Sequence, residues 1–142
     1  MAGAHGWLND PVHEQVQKLG LADRVCFPGY IAQEDVAALY SLATVFAYPS
    51  LWEGFGLPVL ESMACGTPVL TSNVSSLPEV AGDAAVLVPP TEVDAIAEGL
   101  ARMLEDEALR DDLRERGHRR AARFSWERCA RETLAVYRAV AG

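Results

Sequence analysis

Pro49-Ser50-Leu51-Trp52-Glu53-Gly54-Phe55-Gly56-Leu57-Pro58-Val59-Leu60-Glu61 sets two carboxylates eight positions apart around a glycine-rich turn that opens a helix. Val45 to Tyr48 reads as a short buried strand, which Pro49 and Ser50 end. Gly54 and Gly56 allow close approach of the backbone to a ligand, and Pro58 suits the first position of a helix. Val59 to Ala64 continues that helix until Gly66 stops it. Glu53 therefore falls in the loop and Glu61 about one turn into the helix. Helical side chains tilt toward the N-terminus, so Glu61 can reach back to the same mouth.

A helix N-terminus favours phosphate, whereas carboxylates repel it. One ligand satisfies both only if it carries a phosphate and neutral hydroxyls, and a nucleotide sugar does. Its diphosphate fits the amides of Phe55 to Leu57, while the carboxylates accept charge-assisted hydrogen bonds from sugar and ribose hydroxyls. Taken singly, Glu61 reads equally well as a complement to the helix dipole, and Glu53 as a solvated side chain.

The chain has 142 residues, 50% hydrophobic and 23% charged, which sets a single domain with a proper core. Neither a membrane-spanning apolar run nor a signal-peptide pattern occurs, so the expected location is the cytoplasm. Cys26, Cys65 and Cys129 are read as reduced core thiols, and His5, His13 and His118 form no ligand pattern, so no metal is expected. Residues 1–101 hold 12 acidic side chains against Lys18 and Arg24 alone, whereas the last 41 residues hold 10 basic and 8 acidic ones. No basic stripe is interleaved with aromatics, which argues against nucleic acid as a partner. The arginines at 110, 114, 116, 119, 120 and 123 read as a solvated, salt-bridged helix face.

Along the chain, short apolar strands alternate with helices. Asp10 is expected to cap a helix with Pro11 at its first position, and Arg24 to Phe27 to form a buried strand. A helix from about Gln33 to Leu42, the Val45 strand, the Glu53–Glu61 turn and helix, and a strand from Pro68 to Thr71 follow. Ser76 with Glu79 suggests a capping box on a short helix, and Ala85 to Val88 is the next strand. Thr91 is expected to cap a helix ending near Leu104. A charged helix covers about Glu107 to Arg123, and Ser125 starts the last one. There Trp126, Cys129, Ala130, Thr133, Leu134, Tyr137 and Val140 keep 3/4 spacing, read as a core-packing face. The alternation predicts an α/β, doubly wound Rossmann-like parallel sheet, with ligands beyond the C-terminal ends of its strands.

The central stretch resembles the Glu-x7-Glu signature of the retaining, two-domain GT-B glycosyltransferases called group 1 or family 4. Phe27-Pro28-Gly29-Tyr30, Leu39-Tyr40-Ser41, Met63-Ala64-Cys65-Gly66-Thr67-Pro68-Val69, Leu77-Pro78-Glu79-Val80-Ala81-Gly82 and Phe124-Ser125-Trp126 resemble that family in the same order. The resemblance implies a donor-binding site in which Glu53 is the catalytic-site carboxylate that holds hydroxyls of the donor sugar. Glu61 would hold the ribose, and the amides of Gly54, Phe55, Gly56 and Leu57 would lie along the sugar and diphosphate. The backbone near Ile31 would read the base. It implies same-face attack, with the departing phosphate deprotonating the acceptor, so no protein nucleophile and no cofactor is expected. A glycan or lipid acceptor is implied for the intact enzyme.

Gly3-Ala4-His5-Gly6-Trp7 resembles the loop after the second strand of that family's donor domain. Residues 1–142 are accordingly expected to be a partial donor domain, without its first two strands, their basic loop and the acceptor domain, and inactive in transfer alone. The first two strands would occupy the middle of the sheet, so the Val25 strand is expected either to exchange between copies or to close on another neighbour. The terminal helix, which in the family reaches toward the other domain, is expected to be partly exposed. Three alternatives stand beside this reading. One is a starch- or glycogen-synthase C-terminal domain, disfavoured by Gly54-Phe55 and Ser75-Ser76. A sugar-nucleotide epimerase, which lacks the Glu-x7-Glu pattern, is the second. The third is a non-catalytic nucleotide-binding or interaction module.

Overall fold

The computed structural model describes residues 1–2 and 10–141, in two compact units, Met1–Val36 and Ala37–Gly142. The Gly3 to Trp7 segment lies outside the described residues.

In the first unit, α1 (Asp10–Lys18) begins at Asp10 itself, which was expected to precede it as a cap. The His13 ring lies 4.2 Å from the Phe27 ring. Arg24 to Phe27 forms no strand, contrary to the sequence expectation. A strand needs a neighbour to satisfy its amides and carbonyls. Here the Arg24 and Val25 amides turn back to the Leu21 carbonyl at 2.9 and 3.0 Å, the Met1 ammonium donates to the Cys26 carbonyl at 2.6 Å, and one parallel bridge joins Ala2 to Gly29 just beyond.

After α2 (Gln33–Leu42), the second unit builds a parallel sheet in the order β1-β2-β3 from β1 (Phe46–Tyr48), β2 (Val69–Ser72) and β3 (Ala85–Val88). Phe46 stands in register with Val69, and Val69 with Ala85. Helices intervene at each step: α3 (Leu57–Ala64) after β1, α4 (Leu77–Ala81) after β2, then α5 (Val93–Glu105), α6 (Glu107–Ala121) and α7 (Trp126–Ala141) after β3. Parallel strands with intervening helices give the doubly wound architecture that the alternation predicts.

The strand period of two splits the core between the sheet's faces. Phe46, Tyr48, Val69 and Ala85 pack with Val59, Leu60 and Met63 of α3 and Leu77, Val80 and Ala81 of α4. Val45, Leu70, Val86 and Val88 pack with Ile96, Leu100 and Met103 of α5 and Leu109 and Leu113 of α6. Contact with α5 is close enough that a Cβ on Gly99 would stand 2.8 Å from Leu70 Cδ1.

Several local expectations are corrected. Thr91 does not cap α5; Glu92 occupies that position, in extended conformation and without a side-chain cap bond. Ser76 makes no capping box with Glu79, because its hydroxyl is directed to the Glu53 loop. Ser125 does cap α7, its Oγ accepting from the Arg128 amide at 3.1 Å. The apolar stripe of α7 is no core face: every described residue of this helix is exposed. Cys26 and Cys129 are exposed and Cys65 is half-buried, all as free thiols, so the first two are not core residues. Among the described residues, no helix is long and apolar enough to cross a membrane.

Candidate donor site

The site grows from the C-terminal end of β1. Strand alternation puts Phe46 and Tyr48 on one face, where their rings stack at 5.8 Å. The Tyr40 ring, near the end of α2, meets Phe46 edge-on at 5.1 Å. The three aromatics therefore form a continuous row, and each end of it holds a glutamate. Tyr48 Oη donates to Glu53 Oε1 at 2.5 Å, and Tyr40 Oη donates to Glu61 Oε2 at 3.3 Å. Burial, then the bond to Glu53 and its charge, push the Tyr48 phenol up to about 12. Burial and the Glu61 carboxylate raise Tyr40 further. Both hydroxyls therefore keep their protons near neutral pH and act as donors.

Buried hydroxyls of β2 and its approach anchor this row from beneath. Thr67 Oγ1 donates to the Tyr40 carbonyl at 2.6 Å, and Thr71 Oγ1 to the Tyr48 carbonyl at 2.8 Å. Ser72 Oγ donates to the Ser50 carbonyl at 2.5 Å. Thr67, Thr71 and Ser72 are all buried, where an unpaired hydroxyl costs stability, so each bond also holds its partner in place.

The Glu53 loop is clasped from the other side by the turn after β2. Ser75 Oγ donates to the Glu53 carbonyl at 2.7 Å and accepts from the Glu53 amide at 3.2 Å. Ser76 Oγ lies within donating distance of the Glu53 and Phe55 carbonyls, at 3.1 and 2.9 Å. Ser75 has φ 60°, a left-handed conformation that costs a non-glycine residue about 1–3 kcal/mol and tends to cluster at functional sites. The two hydrogen bonds of its hydroxyl offset that strain.

Beyond the clasp, Gly56 at φ 102° turns the chain into α3, with Leu57 as the first helical residue and no side-chain cap at its N-terminus. Pro58 falls in the first turn, where its missing N–H leaves no helical bond unmade. Along the chain a loop carboxylate, Glu53, an uncapped helix start and a helix carboxylate, Glu61, follow one another, and Glu61 but not Glu53 lines the cleft on α3.

Glu53, Gly54, Phe55, Gly56, Leu57 and Glu61 all belong to the second unit, whereas Ile31 is half-buried in the first. Glu53 is half-buried and Glu61 exposed. The sequence reading missed Tyr40, Tyr48, Ser75 and Ser76 as partners of the glutamates. For Tyr48 a signal exists, because alternation along β1 places it with Phe46 on the α3 side. For Tyr40 and Ser75 none does, since each bond spans more than 20 residues. A cleft of about 940 Å³ runs along the outer side of α3, lined by Phe55, Leu57 and Glu61 and by Arg123, Trp126 and Arg128. Cations that are distant in sequence from Glu61 thus share its cleft.

This arrangement is that of the GT-B fold class. The chain is similar over 97% of its length to sucrose-phosphate synthase from Thermosynechococcus elongatus, at TM-score 0.87 and 36% identity, covering 37% of that chain. It matches 39% of HepE from Anabaena, solved in complex with UDP and glucose, at TM-score 0.85 and 25% identity over 95% of this chain. Residues 1–120 match the family described as glycosyl transferases group 1, and the chain belongs to that family. It is 42% identical over 138 residues, 97% of its length, to O-antigen chain mannosyltransferase B of Escherichia coli, and spans 36% of that protein. Identity to the MMP alpha-(1->4)-mannosyltransferase of Mycolicibacterium hassiacum is 41% over 133 residues, 91% of this chain and 32% of that one. The chain therefore spans about a third of the length of the relatives it matches.

Proposed function

We propose that this chain is the donor-binding portion of a retaining hexosyltransferase, which moves a sugar from a nucleotide-diphospho-sugar to a glycan or lipid acceptor. The observation that carries this reading is the pair Glu53 and Glu61, each held by a tyrosine hydroxyl, one in the loop before an uncapped helix start and one in the helix after it. A helix start attracts the diphosphate, and two carboxylates accept from neutral hydroxyls on either side of it. Glu53 holds the transferred sugar and Glu61 the ribose, and the amides of Gly54 to Leu57 lie along the sugar and diphosphate. In the transfer, the acceptor oxygen bonds to the anomeric carbon while the bond to the phosphate oxygen breaks on the same face. The acceptor proton passes to the departing phosphate. Glu53 is then a sugar-holding group and not a nucleophile. No metal or cofactor enters this scheme, and the expected setting is the cytoplasm.

Because the chain spans about a third of its relatives' length, a second reading is kept: these residues alone bind nucleotide without transferring sugar. Calorimetric titration with UDP, GDP and their glucose and mannose conjugates, beside a transfer assay, separates the two. Glu61→Ala is expected to weaken the nucleotide itself by about tenfold or more, the scale of one hydrogen bond to a charged group. Glu53→Ala is expected to weaken only the sugar-bearing conjugate. Equal losses for both ligands in both variants would contradict these roles, and transfer by the isolated chain would displace the second reading.

A further inference from the structure

We infer that Tyr48 is the positioning residue for the Glu53 carboxylate and Tyr40 its counterpart for Glu61, so that each hydroxyl governs recognition of a different part of the donor. This deepens the donor-site reading and rests on it. A glutamate side chain has three rotatable bonds and, when free, samples many positions, so a carboxylate that must receive a particular sugar hydroxyl gains from a fixed partner. Tyr48 provides one at 2.5 Å, in a partly buried setting, and takes up one side of a single oxygen. The other carboxylate oxygen and the remaining lone pair are left to accept from a ligand.

The tyrosine is itself held through both its ring and its main chain. Its ring stacks on Phe46, and its carbonyl accepts from fully buried Thr71. Tyr40 repeats the pattern, with its ring against Phe46 and its carbonyl held by buried Thr67. Two relays thus run from β2 and its approach to the two carboxylates, sharing Phe46 between them. The longer and more exposed Tyr40 contact makes its relay the looser one.

Tyr48→Phe and Tyr40→Phe keep the rings and delete only the hydroxyls, so folding is preserved and the test is clean. Titrations use UDP and UDP-glucose, and GDP and GDP-mannose, with the thermal midpoint measured alongside. Tyr48→Phe is expected to raise the dissociation constant of the sugar conjugate about tenfold and to leave the bare nucleotide unchanged. In a Glu53→Ala background the same substitution is expected to do nothing more, because the tyrosine acts only through that carboxylate. Tyr40→Phe is expected to weaken nucleotide and conjugate together. If Tyr48→Phe weakens both ligands alike, or still acts in the Glu53→Ala background, the hydroxyl is structural and the inference is overturned. If Glu53→Ala loses the conjugate while Tyr48→Phe binds as the parent does, the inference falls and the donor-site reading stands. Binding of none of the probes by the parent chain overturns both.

Discussion

Gly56 carries the strictest demand on a single residue in the site. It sits at φ 102°, and a Cβ there would stand 2.7 Å from Leu77 Cδ2. Neither problem relieves the other: the backbone disfavours any L side chain, and Leu77 is fully buried and has little room to move. Gly56→Ala is expected to destabilise the chain by about 2–4 kcal/mol, read as a lower urea midpoint at unchanged slope. The same turn aims α3, so donor affinity should fall with it. The placement of Glu53 in the loop and Glu61 in the helix is legible from spacing alone, because the loop-to-helix geometry is local. Their tyrosine and serine partners are not, because nothing in the intervening residues states which hydroxyl will arrive beside which carboxylate. Ser76 shows the limit well: its spacing to Glu79 suits a capping box, yet the Glu53 and Phe55 carbonyls take its hydroxyl.

Helix α6 shows a second divergence, at the level of elements. Its arginines read as a solvated face, and three of them do form i,i+3 or i,i+4 bridges, Arg114 with Asp111, Arg116 with Asp112 and Arg119 with Glu115. The folded chain adds a role that spacing does not reveal. Arg110 Nη1 donates to the Met103 and Leu104 carbonyls at 2.7 Å, in the last turn of α5. Arg114 Nε donates to the Gly66 carbonyl just past α3 at 3.0 Å. Arg120 Nε donates to the Val80 carbonyl at 2.9 Å and Nη2 to that of Glu79, in α4, with its guanidinium 5.1 Å from the Phe124 ring. One helix thus closes the C-terminal ends of three others, where free carbonyls and the helix dipole both favour a cation. Arg120→Met is expected to cost about 1–3 kcal/mol, the scale of hydrogen bonds to a charged group. Arg119→Met removes only an exposed 3.4 Å bridge and should cost less than about 0.5 kcal/mol in the same unfolding experiment.

At the scale of the whole molecule, stability lies in the sheet and the helices on its two faces, while α7 stands apart from both cores. Met63, Val69, Leu70, Leu77 and Met103 are essentially inaccessible, whereas Trp126 is 72%, Tyr137 67% and Val140 83% exposed. Removal of residues 126–142 is therefore expected to shift the unfolding free energy by less than about 1 kcal/mol, far below the cost of a core truncation. Donor binding is the sharper readout, since Trp126 and Arg128 line the cleft that Glu61 also lines. Three strands of the sheet were legible as short apolar runs between turn signals, and they pair in sequence order. The Arg24 to Phe27 segment has the same apolar character but forms no strand, because strand formation depends on a neighbour and not on the segment's own residues.

By itself the sequence determined the alternation of strands and helices, the two-faced core, and the placement of one carboxylate in the loop before Gly56 and one in the helix after it. These follow from period, turn chemistry and spacing, which act over a few residues. The tertiary structure alone decided which hydroxyls grip those carboxylates, which helix ends receive the α6 arginines, and which apolar faces remain uncovered. Each of these joins groups far apart along the chain, and their meeting is fixed by packing of whole elements, which no local stretch of sequence encodes.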